Sequence, residues 1–98
     1  MSQTLTLYKM RYTVPIINDV NCSLEDAFEI QREEYDSGLS CCQIIIDEEN
    51  KIIYSLNDRS YKSENFKYNL VGTYKVYNTD YFDAGMNLTV LGNVFTKN

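Results

Sequence analysis

Carboxylate side chains are concentrated in one stretch of this sequence, where they could act in acid–base chemistry or in charge-based binding. Residues 25–49 contain nine Asp or Glu side chains and one base, Arg32, which gives this stretch a net charge of −8. The other 73 residues carry five acids and eight bases, so the acidic stretch accounts for the net charge of −5. Two carboxylates can act as the acid and base of a glycosidase. We expect a binding surface instead, because most of these acids fall on the predicted solvent-exposed side of a helix.

Helical periodicity predicts a helix from Ser23 to Asp36. Ser23 is a good N-cap, Asp26 three residues later forms a variant of the capping box, and Gly38 supplies the left-handed residue that ends the helix. The stripe that should pack on a sheet comprises Leu24, Ala27, Phe28, Gln31 and Tyr35. The opposite, acidic side comprises Glu25, Asp26, Glu29, Glu33 and Asp36.

These acids are unfavourable for the helix itself. Glu25, Glu29 and Glu33 form a row with i, i+4 spacing, and each like-charged pair costs about 0.2–0.5 kcal/mol. Glu33 and Asp36 also lie near the C-terminal end, where the helix dipole favours bases. One interpretation of the pattern is that the acidic, solvent-exposed side only keeps a small protein soluble. A surface complementary to a basic groove on a partner explains it as well, and this second interpretation implies a function.

A predicted hairpin loop after residue 46 adds three more carboxylates to the charge excess. Carboxylates on the helix and this loop could occupy the positions that phosphates take in a basic groove. Direct binding of nucleic acid through them is not expected, because phosphates are bound by Lys and Arg. We therefore predict a partner protein with a basic, nucleic-acid-binding surface. The predicted partner-binding residues are Glu25, Asp26, Glu29, Glu33, Asp36, Asp47, Glu48 and Glu49.

Tyrosines and bases on two predicted strands form an alternative ligand-binding set. Such a set could hold an anionic nucleotide by stacking its base on tyrosine rings. Strand alternation, however, places the bases on the opposite side of each strand from the tyrosines. The tyrosines are also explained as amphipathic packing residues with their hydroxyls at the rim of a core. The alternative ligand-binding residues are Tyr8, Lys9, Tyr12, Arg11, Tyr68 and Tyr74.

Several classes of catalytic and metal site are not expected. The chain contains no histidine, which excludes catalytic Ser-His-Asp or Cys-His groups and histidine zinc ligands within one chain. Cys22, Cys41 and Cys42 are three in number, and we interpret them as small buried apolar residues rather than a disulfide framework. We predict no enzyme activity, no metal site and no cofactor.

The predicted fold is a single α+β domain over residues 1–98, with one helix packed on a mostly antiparallel sheet of about five strands. The element order is β-α-β-β-β-β, and neither the helix nor the sheet can bury its apolar side alone. Pro15 should end the first strand or mark an edge, and residues 44–46 should belong to a strand covered on both faces. The predicted strands are residues 4–14, 39–46, 52–56, 66–77 and 87–95.

The predicted function is that of a non-enzymatic binding or inhibitor protein. In its acidity and small size the chain resembles the small proteins with which phages inhibit host enzymes or defence systems, and frequent Asn, Ile and Tyr resemble the products of an AT-rich genome. We expect a cytoplasmic location, in the host cell if the protein is viral, because neither a signal peptide nor an apolar run of about 18 residues is present. Two alternatives stay open: an oligomeric protein that sequesters a nucleotide, and a structural subunit of a larger assembly.

Overall fold

The computed structural model describes residues 3–38, 40–56, 66, 68–79 and 88–95. One helix and six strands lie within these residues, and the strands form one sheet in the order β2-β1-β3-β4-β5-β6. All neighbouring strands are antiparallel except β4 and β5, which are parallel. The α+β class and the mostly antiparallel sheet are therefore confirmed. The elements are β1 Gln3–Arg11, β2 Val14–Cys22, α1 Leu24–Asp36, β3 Cys41–Asp47, β4 Ile52–Leu56, β5 Thr73–Thr79 and β6 Leu88–Phe95.

The strand missed by sequence reasoning is β2. The predicted first strand ends at Arg11, and a two-residue turn follows in which Tyr12 has a left-handed φ of 59°. The chain then returns along β1 as an edge strand, with Pro15 opposite Met10. Pro15 is tolerated there because an edge strand leaves part of its backbone unpaired. The predicted strand over residues 4–14 is thus one arm and the turn of a hairpin.

The helix packs on one face of the sheet, over β1, β2 and β3. Its N-terminus is capped as predicted, because the Ser23 hydroxyl oxygen accepts a hydrogen bond of 3.1 Å from the amide of Asp26. The ring of Phe28 meets that of Tyr54 edge-on, with 5.6 Å between centroids. Tyr35 is 47% exposed, so the predicted stripe does not remain buried through the last turn. The buried residues of this core are Leu5, Leu7, Ala27, Phe28, Ile45 and Tyr54.

A second core lies on the opposite face of the sheet. Leu70 belongs to it, and Phe66 and Tyr68 pack against it, so these three residues cover part of this face. The predicted strand 66–77 is therefore wrong in its first part, because pairing begins only at Thr73. The predicted burial of residues 44–46 on both faces is confirmed. The buried residues of this core are Tyr8, Met10, Ile44, Ile46, Ile53, Leu70, Tyr74 and Val76.

A buried glutamine fastens the helix to an irregular point of the sheet. The pairing of β1 with β3 slips between Tyr8 and Met10, where a regular ladder would continue. At this point Nε2 of Gln31 donates hydrogen bonds of 3.1 Å to the carbonyl of Tyr8 and 3.3 Å to that of Ile44. Gln31 is fully buried. A predicted stripe residue thus donates to two backbone carbonyls beside the slipped register.

Candidate binding surface on the helix

Five carboxylates project from the outer side of α1, and we call them the acidic face. Each of the five is exposed to solvent, as the helical periodicity predicts. The opposite side of the helix is held by Ala27, Phe28 and Gln31, which are fully buried. The side chains of the acidic face therefore have a rigid base beneath them. The acidic face comprises Glu25, Asp26, Glu29, Glu33 and Asp36.

Among the described residues, neighbouring bases form salt bridges with few carboxylates of the helix. Lys9 forms a salt bridge of 3.1 Å with Glu34, whose side chain lies on the flank of the helix with 28% exposure. Within the described ranges, no salt bridge involves Glu25, Asp26, Glu29 or Glu33 of the acidic face. The Lys9–Glu34 pair instead ties the last turn of α1 to β1. Sequence reasoning did not identify this pair, because β1 and α1 are distant in the chain.

Two of the three predicted hairpin carboxylates are engaged in contacts within the fold. Asp47 is 3% exposed, and its two carboxylate oxygens accept hydrogen bonds of 3.1 Å and 2.9 Å from the amide and side chain of Asn50. Glu48 is half-buried and accepts a hydrogen bond from the hydroxyl of Tyr74. Only Glu49 among the three is exposed. Asp47 and Glu48 are therefore structural residues of the hairpin, because they satisfy its own donors.

Glu48 and the acidic face also lie on different sides of the sheet. Tyr74, the partner of Glu48, belongs to the core opposite the helix. Burial and the nearby Glu48 carboxylate raise the pKa of the Tyr68 phenol, which packs against the same core. Glu48 thus does not continue the acidic face across the sheet.

The alternative ligand-binding residues are not assembled into a stacking surface. Tyr8 and Tyr74 are fully buried in the core, so their rings are not available to a nucleotide. Lys9 lies towards the helix, where it pairs with Glu34. Tyr12 is 89% exposed at the β1–β2 turn, and Arg11 beside it is exposed. Tyr68 is half-buried against the core face. The structure therefore places Lys9 on the opposite face of the sheet from Tyr8 and Tyr74, in agreement with the predicted alternation.

The cysteines have different environments. Cys22 packs against the helix-side core, and burial together with the Asp26 carboxylate raises the pKa of its thiol. Cys42 packs against the opposite core. Cys41 is exposed at a shallow pocket of about 200 Å³ that Met10 and Ser40 also line, so its predicted burial is wrong. No group of three possible metal-ligating His, Cys, Asp or Glu residues is found among the described residues.

Tyr54 is the most strongly perturbed titratable group of the helix-side core. Burial, the Asp47 carboxylate and the neighbouring Tyr77 phenol raise the pKa of Tyr54 to about 12. Its ring stacks on that of Tyr77 with 5.8 Å between centroids, and Nζ of Lys75 lies 5.1 Å from the Tyr77 centroid. A phenol held in its neutral form in this way contributes to stability rather than to proton transfer near neutral pH.

The chain matches no protein-family model, no curated protein and no solved structure. In the part of the chain that the structure describes, no helix is long and apolar enough to cross a membrane. The surface geometry is therefore the basis on which a function is proposed.

Proposed function

We propose that this chain is a non-enzymatic binding protein whose acidic face occupies a basic, nucleic-acid-binding surface on a partner protein. The observation that carries the proposal is the exposure of five carboxylates on one side of α1. No salt bridge with a described base involves four of them, Glu25, Asp26, Glu29 and Glu33. Such a surface attracts a basic partner over long range and speeds the encounter.

The spacing of the carboxylates supports competition with nucleic acid. Glu25 and Asp36 are separated by about 16 Å along the helix axis, at about 1.5 Å per residue. The five carboxylates therefore recur about every 4 Å of axis, whereas each strand of B-DNA carries one phosphate per about 3.4 Å. A groove lined with Lys and Arg for a phosphate backbone would find a similar density of negative charge on α1.

The anchoring of the helix also supports a binding role. Gln31 fixes the middle of α1 to the sheet through two hydrogen bonds, and Glu34 fixes its last turn through Lys9. A surface that is already ordered loses little conformational entropy when a partner binds. The charges of the acidic face lower the stability of the helix, yet the helix that carries them is rigidly held. Both features are expected if the charges are retained for binding a partner.

A protein with this binding activity would act as an inhibitor of its partner. A partner whose basic groove is filled by the acidic face no longer binds its nucleic acid. The resemblance in composition to small acidic phage proteins that inhibit host enzymes or defence systems supports this direction. We propose such a partner, in the cytoplasm of a cell, as the target of the acidic face.

Charge neutralisation without loss of the fold tests the proposal. The variant Glu25→Gln/Glu29→Gln/Glu33→Gln removes three negative charges from the acidic face and keeps side-chain size. The control Thr13→Lys/Asn18→Lys/Asn21→Lys changes the net charge by the same amount at exposed residues of the β1–β2 hairpin. Both variants and the parent chain would be used to capture proteins from a cell lysate at low and high salt.

The two variants should separate surface recognition from net charge. We expect the parent and the control to capture the same basic, nucleic-acid-binding protein at low salt, and the glutamine variant to lose it. Higher salt should weaken capture by the parent, because the contacts are between exposed charges. Equal capture by the glutamine variant, or equal loss by the control, would contradict the proposal.

A further inference from the structure

We propose that two copies of this chain pair edge to edge through β6 and form a closed dimer with a continuous sheet. The strand Leu88–Phe95 lies at one edge of the sheet and contains neither a charged residue nor a proline. The opposite edge, β2, contains Pro15 and Asp19. Charged residues, prolines and bulges are the usual means by which proteins prevent the pairing of exposed edges, and of these β6 has only a bulge. β6 is therefore the less protected of the two edges.

Two large apolar side chains are exposed on this edge. Val90 is 55% exposed and Phe95 is 77% exposed. Val90 pairs with Tyr77 and Phe95 with Thr73, so both side chains point to the face of the sheet that carries α1. The helix contacts only β1, β2 and β3 among the described elements, and it leaves Val90 and Phe95 uncovered. A second β6 strand alongside would shield both side chains from water.

The bulge in β6 makes this strand complementary to itself. Gly92 is opposite Val76 and Val90 is opposite Tyr77, so Leu91 is the extra residue of the bulge. If Leu91 and Gly92 are counted as one position, two β6 strands can pair antiparallel with Asn93 opposite Asn93 of the second copy. Each residue then lies opposite a residue whose side chain points to the same face of the sheet.

In this register each exposed apolar side chain meets another. Phe95 lies against Val90 of the second copy, and Val94 lies against the Leu91–Gly92 position. Opposite residues of an antiparallel pair share a face, as this register requires. A twofold axis at Asn93 repeats each contact, so the dimer is closed and does not extend into a fibre.

The charge distribution permits a second copy at this edge. Two chains of net charge −5 repel each other, yet β6 itself carries no charge. The helix lies over β1–β3, so about nine strand spacings separate α1 from its copy, or roughly 40 Å at about 4.8 Å per strand. This distance is several times the Debye length of about 8 Å at physiological salt.

The twofold axis of an antiparallel strand pair is perpendicular to the sheet. Both acidic faces of the dimer therefore point to the same side. The inference does not rest on the proposed function, because β6 and the acidic face share no residue.

Sedimentation equilibrium of the full chain tests the dimer. We expect the parent chain to approach twice 11.4 kDa at high concentration, and Val90→Lys to sediment as a monomer because a lysine on an edge opposes pairing. The double variant Val90→Lys/Phe95→Glu should recover the dimer, since the Asn93-centred register brings the new ammonium and carboxylate groups together twice. The control Ile17→Lys changes an exposed apolar residue of β2 and should remain dimeric. Far-UV circular dichroism and cooperative unfolding confirm that each variant folds.

Three results would overturn the proposal. A parent chain that stays monomeric at about 200 µM excludes an association of useful strength. Loss of the dimer in Ile17→Lys with retention in Val90→Lys assigns the interface to β2. Failure of the double variant to recover the dimer excludes the Asn93-centred register. The glutamine variant of the acidic face should remain dimeric, so the failure of either proposal is distinguishable from failure of the other.

Discussion

The hydroxyl of Tyr74 donates a hydrogen bond to Oε1 of Glu48, which joins the start of β5 to the β3–β4 hairpin. The same hydroxyl oxygen lies 3.4 Å from the amide of Val71, which donates to it. Nζ of Lys51 donates a hydrogen bond of 3.1 Å to the carbonyl of Val71 and lies 4.9 Å from the centroid of the Tyr74 ring. The hairpin charges Glu48 and Lys51 thus hold the chain entry into β5, and this explains why Glu48 does not serve the acidic face.

Removal of the Tyr74 hydroxyl should destabilise the fold. In Tyr74→Phe, the half-buried Glu48 carboxylate and the Val71 amide each lose a partner. We expect the free energy of unfolding to fall by about 1.5–3 kcal/mol, as for hydrogen bonds to charged groups. Urea unfolding followed by circular dichroism measures this change. The control Tyr12→Phe, at a residue that is 89% exposed, should change it by less than about 0.5 kcal/mol. Equal stability of the two variants would show that the Tyr74–Glu48 bond contributes nothing.

Loss of the Gln31 amide should weaken the attachment of the helix. Gln31→Leu fills a similar volume but leaves the carbonyls of Tyr8 and Ile44 without this donor. Each buried polar group left unsatisfied costs about 1–3 kcal/mol, so we expect a loss of at least about 2 kcal/mol in urea unfolding. The control Glu29→Leu places the same side chain on the exposed side of the helix and should have a small effect. A Gln31→Leu variant as stable as this control would mean that the two carbonyls are satisfied in another way.

Tyr54 should make the protein less stable at alkaline pH. Its pKa in the folded protein is about 12, whereas an unperturbed tyrosine has a pKa of about 10. Between these values the unfolded chain loses the proton first, so the free energy of unfolding falls as pH rises. The stabilisation is therefore complete below about pH 10 and is lost as pH approaches about 12.

The variant Tyr54→Phe isolates this contribution. Its free energy of unfolding should fall less steeply than that of the parent across the same alkaline range, as urea titrations at a series of pH values would show. The Tyr12→Phe variant, altered at an exposed residue, should follow the parent. Parallel pH profiles for the parent and Tyr54→Phe would contradict a raised pKa of Tyr54.

Reversal of one charge on the acidic face should stabilise the helix while it weakens partner binding. In Glu33→Lys, repulsion with Glu29 is replaced by a favourable i, i+4 pair, and a base is placed near the C-terminal end of the helix. We expect a gain of about 0.5–1 kcal/mol in the free energy of unfolding. Thermal and urea unfolding test the gain, and capture of the partner tests the loss. A destabilised variant would contradict the view that these charges are retained at a cost to the fold.

Helical periodicity made α1 and its acidic face predictable from local sequence. The Ser23 cap, the buried positions at Ala27, Phe28 and Gln31, and the exposure of the acids all depend on spacing within one element. Burial of Asp47 was not predictable in the same way. Its environment depends on the hairpin hydrogen bonds to Asn50 and on the neighbouring strand, which local charge patterns do not describe.

The strand β2 escaped prediction for physical reasons. Its turn, Tyr12-Thr13, lacks the Gly or Asn that usually marks a two-residue hairpin. The strand contains Pro15, Asp19 and two asparagines, all of which are depleted in strands. An edge strand tolerates them, because one of its sides forms no ladder. The alternation of Tyr68 and Leu70 led to the prediction of a strand where none is found. These side chains alternate because they pack on a face of the sheet, not because their backbone pairs with a strand.

Competition with nucleic acid shows whether the acidic face occupies a phosphate-binding surface of the partner. Fluorescence anisotropy would follow a labelled DNA duplex bound to the captured partner while the chain is added. We expect the parent chain to displace the duplex, and the variant Glu25→Gln/Glu29→Gln/Glu33→Gln to require at least a tenfold higher concentration, equivalent to about 1.4 kcal/mol. The Thr13→Lys/Asn18→Lys/Asn21→Lys control should displace it as the parent does. A duplex that stays bound when the parent chain saturates the partner would contradict the claim.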